Sequence, residues 1–146
     1  MFSKACEYGI RATIYIMGQS VQNKRVGLKD IAKEIESPEA FTAKILQQLV
    51  KSKIIFSVKG PTGGFEIKKD KMEKINMLDM VLSIDGDSLL VGCGLGLKKC
   101  SESHPCPMHH KFKIIRDNLK EMLQSTTIFE LSNNLSEGLT HLKLIN

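Results

Sequence analysis

After residue 53 the apolar pattern of this 146-residue chain changes from a helical period to a strand period. Upstream, apolar residues recur at spacings of three and four, whereas Ile54, Phe56 and Val58 alternate with other residues, as in a strand. A glycine-rich segment, GPTGG at residues 60–64, follows, and the alternation resumes at residues 65–67. This pattern predicts a β-hairpin with a glycine-rich tip.

Three helices are predicted before this hairpin. Apolar periodicity predicts helices at residues 5–18 and 28–35, and a third that runs to about residue 51. The third helix is expected to begin with Ser37 as its N-cap and Pro38 as its first helical residue. Three helices followed by a hairpin is the order of a winged helix-turn-helix domain, which we assign to residues 1–84. The predicted fold is therefore mainly α with a small β-hairpin wing.

The positive charge of the chain lies in its first half. Of 21 lysines and arginines, 12 lie in residues 1–70, against 7 of the 16 acidic residues, so this half carries 12 − 7 = +5 and the remainder 9 − 9 = 0. A basic region beside a neutral one indicates a polyanionic partner for the first half. Charge alone also fits a well-solvated surface, but together with the winged helix-turn-helix order it favours double-stranded DNA, and a dimer of such domains would read a palindromic operator.

The DNA contacts are predicted on two elements. One face of the third helix is polar and cationic, opposite its apolar face, as a helix in the major groove must be. The hairpin tip is basic and rich in glycine, which lets its backbone approach phosphates. With Lys29 on the second helix, the predicted DNA-binding residues are Lys29, Ala40, Lys44, Gln47, Lys51, Ser57, Lys59, Gly60, Thr62 and Gly63.

The second half is predicted to be helical with one interruption. A short helix at residues 75–84 precedes a loop at residues 85–107, and a long helix begins at Met108. Its apolar residues recur at 4, 3, 4 and 3, a narrow stripe typical of helix–helix pairing: Met108, Phe112, Ile115, Leu119 and Met122. Thr127 and Glu130 predict a capping box for a last short helix. We therefore assign residues 108–146 to a dimerisation helix and a C-terminal helix, and expect a homodimer.

Three cysteines lie together in the predicted loop. Cys93 and Cys100 are separated by six residues, Cys100 and Cys106 by five, and His109 follows Cys106 by three positions. Structural zinc sites usually pair cysteines two to four residues apart, whereas iron–sulfur clusters take thiolates from a more open loop. The spacing leaves three interpretations open: an iron–sulfur cluster, a zinc ion, or unligated thiols.

The whole chain resembles the Rrf2 family of bacterial transcription regulators. The resemblance lies in LKDIA at residues 28–32, the helix at 41–49, SVKGPTGGF at 57–65 and the three-cysteine loop. It implies a homodimer with a winged helix-turn-helix domain and a long dimerisation helix. It also implies an iron–sulfur cluster on the three cysteines that gates operator binding, with [2Fe–2S] favoured and [4Fe–4S] as the alternative.

The resemblance implies two choices for the fourth cluster ligand. His109 matches the histidine used in the branch that regulates cluster assembly. Glu7 matches the N-terminal carboxylate that the other subunit supplies in the nitric-oxide-sensing branch. We favour His109.

The other functional classes are less well supported. A zinc-bound or metal-free thiol-redox repressor is the nearest alternative, followed by an iron–sulfur carrier. No acid, base and oxyanion arrangement indicates an enzyme. No apolar run approaches the roughly 18 residues that cross a bilayer, and the patterned N-terminus does not look like a secretory signal. We therefore expect a cytoplasmic protein with no membrane partner.

Overall fold

The computed structural model describes residues 1–143, so residues 144–146 of the predicted C-terminal region lie outside the described part. Its helices are α1 (Lys4–Val21), α2 (Leu28–Glu34), α3 (Glu39–Lys51), α4 (Met77–Ile84), α5 (Ser88–Val91), α6 (His109–Ser125) and α7 (Ile128–Ser136). The two strands are β1 (Phe56–Val58) and β2 (Gly64–Glu66), and a 3-10 turn covers Lys69–Lys71. The predicted fold class, mainly α with a small β-hairpin wing, is confirmed.

Helix α1 is the centre of the core. It packs against α2, α3, α4, α7 and β2, because apolar residues occur around most of its circumference. Side chains from six helices are almost completely buried together: Cys6, Ile16, Met17, Ile31, Leu46, Leu49, Met80, Leu123 and Ile128. The N-terminal half and the α6–α7 half therefore share one core.

The hairpin is antiparallel and only three residues long on each side. Phe56 lies opposite Glu66, and Val58 lies opposite Gly64. The predicted start of the first strand at Ile54 is wrong. Ile54 and Ile55, which precede the strand, are both buried against the core. Because two consecutive side chains are buried, the alternation of buried and exposed residues that a strand requires does not begin until Phe56.

Two further local predictions need correction. Pro38, not Ser37, is the N-cap of α3, because the Ser37 hydroxyl accepts a hydrogen bond from the Thr42 hydroxyl at 2.9 Å instead of capping the backbone. The predicted loop at residues 85–107 contains the short helix α5.

Two capping boxes join α4 to the end of α6. Asn76 caps α4 with Asp79, and Thr127 caps α7 with Glu130, as predicted. The two caps pair as an isolated antiparallel bridge, in which the Ile128 amide donates to the Ile75 carbonyl at 2.9 Å. This bridge holds the C-terminal end of α6 against the helical core.

Within residues 1–143, no helix combines the length and apolar character that a membrane span requires.

Candidate nucleic-acid interface and metal centre

Helix α3 has one face buried in the core and the opposite face exposed to solvent. One face enters the core through Thr42, Ile45, Leu46 and Leu49. The opposite face is exposed to solvent and carries the four residues predicted to contact DNA: Ala40, Lys44, Gln47 and Lys51. Lys29, on α2, is also exposed. An exposed cationic face of this kind can donate to base edges and neutralise phosphates.

The wing tip and its basic residue, Lys59, are exposed to solvent. Ser57, Lys59, Gly60 and Thr62 are exposed, and Gly63 is partly buried. At Gly63 a Cβ atom would lie 2.1 Å from the Val58 carbonyl oxygen, so only glycine fits the close approach of the two chain segments. The tip is therefore thin and presents Lys59 without neighbouring bulk.

The three clustered thiols meet in one place. Their Sγ atoms all lie within 4.8 Å of one another. Cys93 Sγ lies 3.6 Å from Cys106 Sγ, and Cys100 Sγ lies 3.1 Å from His109 Nδ1. The chain thus brings the thiols and the imidazole into two adjoining pairs.

His109 is held at the first turn of α6, with only 8% of its surface exposed. Its Nε2 atom lies 3.5 Å from a Glu102 carboxylate oxygen and has no hydrogen-bond partner within residues 1–143. The Nδ1 atom of the ring faces the thiols, 3.1 Å from Cys100 Sγ. Glu7, the alternative fourth ligand, is exposed on α1, 3.5 Å from the Lys4 ammonium.

The donor set fits an iron–sulfur cluster. Clusters are bound by thiolates and stabilised by hydrogen bonds to sulfur. The Leu95 amide donates to Cys93 Sγ at 3.4 Å, and the Cys106 amide donates to Cys100 Sγ at 3.4 Å. The same three thiols and imidazole also match the ligands of a four-coordinate zinc ion. The wide spacing along the chain, which argued against zinc, does not keep the sulfurs apart in the fold.

The thiols differ in acidity. Hydrogen bonds from the Leu97 and Leu95 amides lower the pKa of Cys93 to about 7. The Cys106 amide would lower the pKa of Cys100, but desolvation and the neighbouring Cys106 and Cys93 thiols outweigh it and raise that pKa. Cys6 lies in the core, where burial and then Asp85 raise its pKa to about 12.

These differences predict how the metal-free, reduced protein reacts with iodoacetamide. The thiolate is the nucleophile, so Cys93 should reach half its maximal rate near pH 7, while Cys6 should stay unmodified until the chain unfolds. Peptide mass mapping after quenching at each pH measures both rates. Protein unfolded in urea is the control, in which all four cysteines should react alike near the ordinary thiol pKa of about 8.5. Equal rates for Cys6 and Cys93 in the folded protein would contradict this interpretation.

The cysteine loop is packed against α6. A Cβ atom at Gly94 would lie 2.3 Å from the Phe112 ring, so the loop backbone lies directly on that ring. Arg116 donates a hydrogen bond to the Gly92 carbonyl. The cysteine loop and one face of α6 are therefore in direct contact.

The predicted apolar stripe of α6 divides into two sets. Phe112 lies against the loop, and Leu119 packs against the core. Three other apolar residues, spaced seven apart, are exposed: Met108 at 37%, Ile115 at 63% and Met122 at 47%. A row with this spacing lies along one side of a helix and suits pairing with another helix. Part of the stripe thus serves the protomer itself, and part is available to a partner.

Two charged side chains beside the cysteine loop were not predicted from the sequence. Glu102 faces the His109 ring, and Arg116 reaches back to the loop. Neither takes part in a periodic pattern or a motif. The position of Glu102 inside the cysteine loop was the available signal, because carboxylates commonly orient ligand histidines.

The chain is similar to known proteins both in sequence and in fold. The sequence model of a family described as "Rrf2: iron-dependent transcriptional regulator" matches residues 2–134. An HTH-type transcriptional regulator of Aquifex aeolicus is 33% identical over 136 residues, covering 91% of this chain and 92% of that protein. The HTH-type transcriptional regulator IscR of Photorhabdus laumondii is 26% identical over 127 residues, covering 87% and 76% respectively. The structure of CymR, the global cysteine regulator of B. subtilis, superposes with a TM-score of 0.75 at 22% identity, covering 91% of this chain and 96% of that one.

Proposed function

Because the chain belongs to the Rrf2 family of transcriptional regulators, we propose that it is a homodimer whose binding to a palindromic operator is gated by an iron–sulfur cluster. Like its relatives, which are named as transcriptional regulators, it is a regulator of transcription and not an enzyme. Cys93, Cys100 and Cys106 would hold the cluster, with His109 as fourth ligand. The observation that carries the proposal is the convergence of three thiol sulfurs within 4.8 Å at the start of α6. A cytoplasmic location follows for a protein that acts on promoters.

The proposed DNA contacts are the exposed face of α3 and the wing. A dimer reads a palindrome by placing its two recognition helices about one helical turn apart, roughly 34 Å. The seam of α6, defined as Met108, Ile115 and Met122, would set that separation. Ala40, Lys44, Gln47 and Lys51 would then lie in the major groove, and Lys59 would reach the adjacent minor groove.

The gating proposal rests on the contacts between the cysteine loop and α6. When bound, the cluster would tie the loop to the first turn of α6 and make this link sensitive to iron and oxidants. The chain transmits the state of the loop through the Gly94–Phe112 contact and through the Arg116 hydrogen bond to Gly92. Each arrangement of the loop would favour a different spacing of the two recognition helices. A change in the loop would therefore shift the population between dimers that can bind the operator and dimers that cannot.

Removal of the cluster tests the proposal. An operator is first selected from a random duplex library, and its affinity is then measured at one fixed salt concentration for cluster-loaded and metal-free protein. Allosteric coupling of the usual size gives about a 5- to 150-fold difference. Iron and sulfide assays and the visible spectrum, all under anaerobic conditions, define the loaded state. Equal affinities would overturn the gating.

A second function is favoured by the short distance between two thiols. Cys93 Sγ and Cys106 Sγ are 3.6 Å apart, and the pKa of Cys93 is lowered to about 7, so the pair could act as a thiol-redox switch, with or without zinc. Anaerobically purified protein that is colourless and iron-free, yet changes its operator affinity on oxidation, would favour this alternative.

The proposed wing contact makes a separate prediction. Lys59→Ala should weaken operator binding about tenfold and reduce the slope of log K against log salt by about 1, because one cationic phosphate contact is lost. Fluorescence anisotropy over a salt series measures both quantities. Lys120→Ala is the matched control, since Lys120 is an exposed lysine on α6, and it should leave the operator affinity unchanged. Unchanged affinity of Lys59→Ala would count against the wing.

A further inference from the structure

The wing depends on its neighbours for its orientation. Its two strands have three residues each, and an isolated two-stranded hairpin is marginally stable in water. The connection between α1 and α2 supplies a third segment. The Val26 amide donates to the Phe65 carbonyl at 3.1 Å, and the Phe65 amide donates to the Val26 carbonyl at 2.8 Å.

Beside this backbone bridge, Arg25 contacts the wing at two separate points. Its Nε atom donates to Glu66 Oε2, on strand β2, at 2.9 Å. One of its terminal nitrogens lies 3.5 Å from the Thr62 carbonyl at the wing tip. A guanidinium is planar and rigid, so a single side chain connects the base of the wing to its tip.

The ion pair is partly shielded from solvent. The Arg25 side chain is 39% exposed and that of Glu66 is 25% exposed, so salt screens the pair less than a fully solvated one. Glu66 is also the one acidic residue between residues 54 and 68. A carboxylate next to a wing that faces DNA repels phosphate. Removal of this negative charge should therefore by itself strengthen DNA binding.

We propose that Arg25 and Glu66 are positioning residues that fix the angle of the wing against the α1–α2 connection, so that Lys59 meets the minor groove in register. The proposal rests on the proposed operator binding through the wing. Arg25 acts through its contacts with Glu66 and Thr62, and it does not itself contact a DNA phosphate.

Whether Glu66→Gln raises or lowers the operator affinity distinguishes a positioning role of Glu66 from mere charge repulsion between Glu66 and DNA. Removing a negative charge near DNA should by itself tighten binding and change the salt dependence. Loss of the clamp should instead weaken operator binding about 5- to 20-fold, and the salt slope should fall by no more than the value of about 1 that loss of the Lys59 contact gives. Arg25→Gln should weaken it by a similar factor, and Arg25→Gln/Glu66→Gln should lose little more, because both changes break one contact.

The exchanged pair Arg25→Glu/Glu66→Arg completes the experiment. It preserves net charge and can re-form the ion pair, so it should recover most of the lost affinity. Glu137→Gln, an exposed acid after α7, is the control for a charge change away from the wing. Thermal unfolding and light scattering confirm that each variant is folded and has the parent's oligomeric state.

The outcomes distinguish this inference from the proposed function. If Lys59→Ala weakens binding and Glu66→Gln tightens it or leaves it unchanged, the wing binds DNA and the clamp is wrong. If Arg25→Gln lowers the salt slope by about 1 and the exchanged pair does not recover, Arg25 contacts phosphate directly and the clamp is again wrong. If neither Lys59→Ala nor Glu66→Gln changes the affinity, the wing contact itself fails.

Discussion

Replacing Cys93, Cys100 and Cys106 together by serine is expected to give a colourless protein whose iron and sulfide contents fall from stoichiometric to near zero. Iron–sulfur clusters are held by thiolates, and a serine hydroxyl, which stays protonated at neutral pH, does not replace them. The operator affinity of this variant should no longer change when iron and sulfide are supplied. Anaerobic absorption spectra, metal assays and binding at fixed salt measure the result.

Cys6→Ala is the matched control for the loss of a thiol. Cys6 is completely buried in the core, away from the other three cysteines, so this variant should keep the chromophore even if its stability falls. Two single variants then test the fourth ligand: His109→Ala should alter the visible spectrum, whereas Glu7→Ala should not. Retained colour in the triple serine variant would overturn the ligand assignment.

Ile115→Glu is expected to convert the proposed dimer into monomers and to weaken binding to a palindromic operator by about 100-fold or more. Ile115 is the middle residue of the α6 seam and is 63% exposed in the protomer. Burying a glutamate against its symmetry mate leaves charges without partners. A monomer contacts one half-site and loses the effective concentration that links two binding events, which is typically worth 10²–10⁴ in affinity. Sedimentation equilibrium and operator titration measure the two effects.

Ile114→Glu provides a close control. Ile114 is the neighbouring residue, of the same type and equally exposed at 62%, but it lies about 100° around the helix from the seam. It should leave both the dimer and the operator affinity near those of the parent. Dissociation by Ile114→Glu but not Ile115→Glu would move the interface to a different face of α6.

Features that depend on neighbouring residues were predictable from the sequence. The order of three helices and a hairpin, the capping box at Thr127 and the two faces of α3 all follow from spacings of a few residues. A helix repeats every 3.6 residues and a strand every two, whatever the rest of the chain does. The errors at Ser37 and Ile54 arose where a side-chain contact or burial in the core competed with a local preference.

The chemistry of the site was predictable in kind but not in arrangement. Residue types and spacing singled out three thiols as a candidate site and left an iron–sulfur cluster, zinc and unligated thiols open, and the family resemblance added His109 as the proposed fourth ligand. The sequence could not pair Cys93 with Cys106 and Cys100 with His109, because loop conformation determines which sulfurs meet. Nor could it indicate that the Leu95 and Leu97 amides lower the pKa of Cys93.

The chain on its own determined its class, a winged helix-turn-helix regulator with a three-cysteine loop, since local periodicity and motif spacing suffice for that. Tertiary structure decided which side chains of the α6 stripe serve the protomer and which remain free for a partner. It also joined Arg25 to Glu66 across 41 residues of sequence. Contacts of this kind form only when the intervening chain has folded and its ends have met, and no short-range pattern records them.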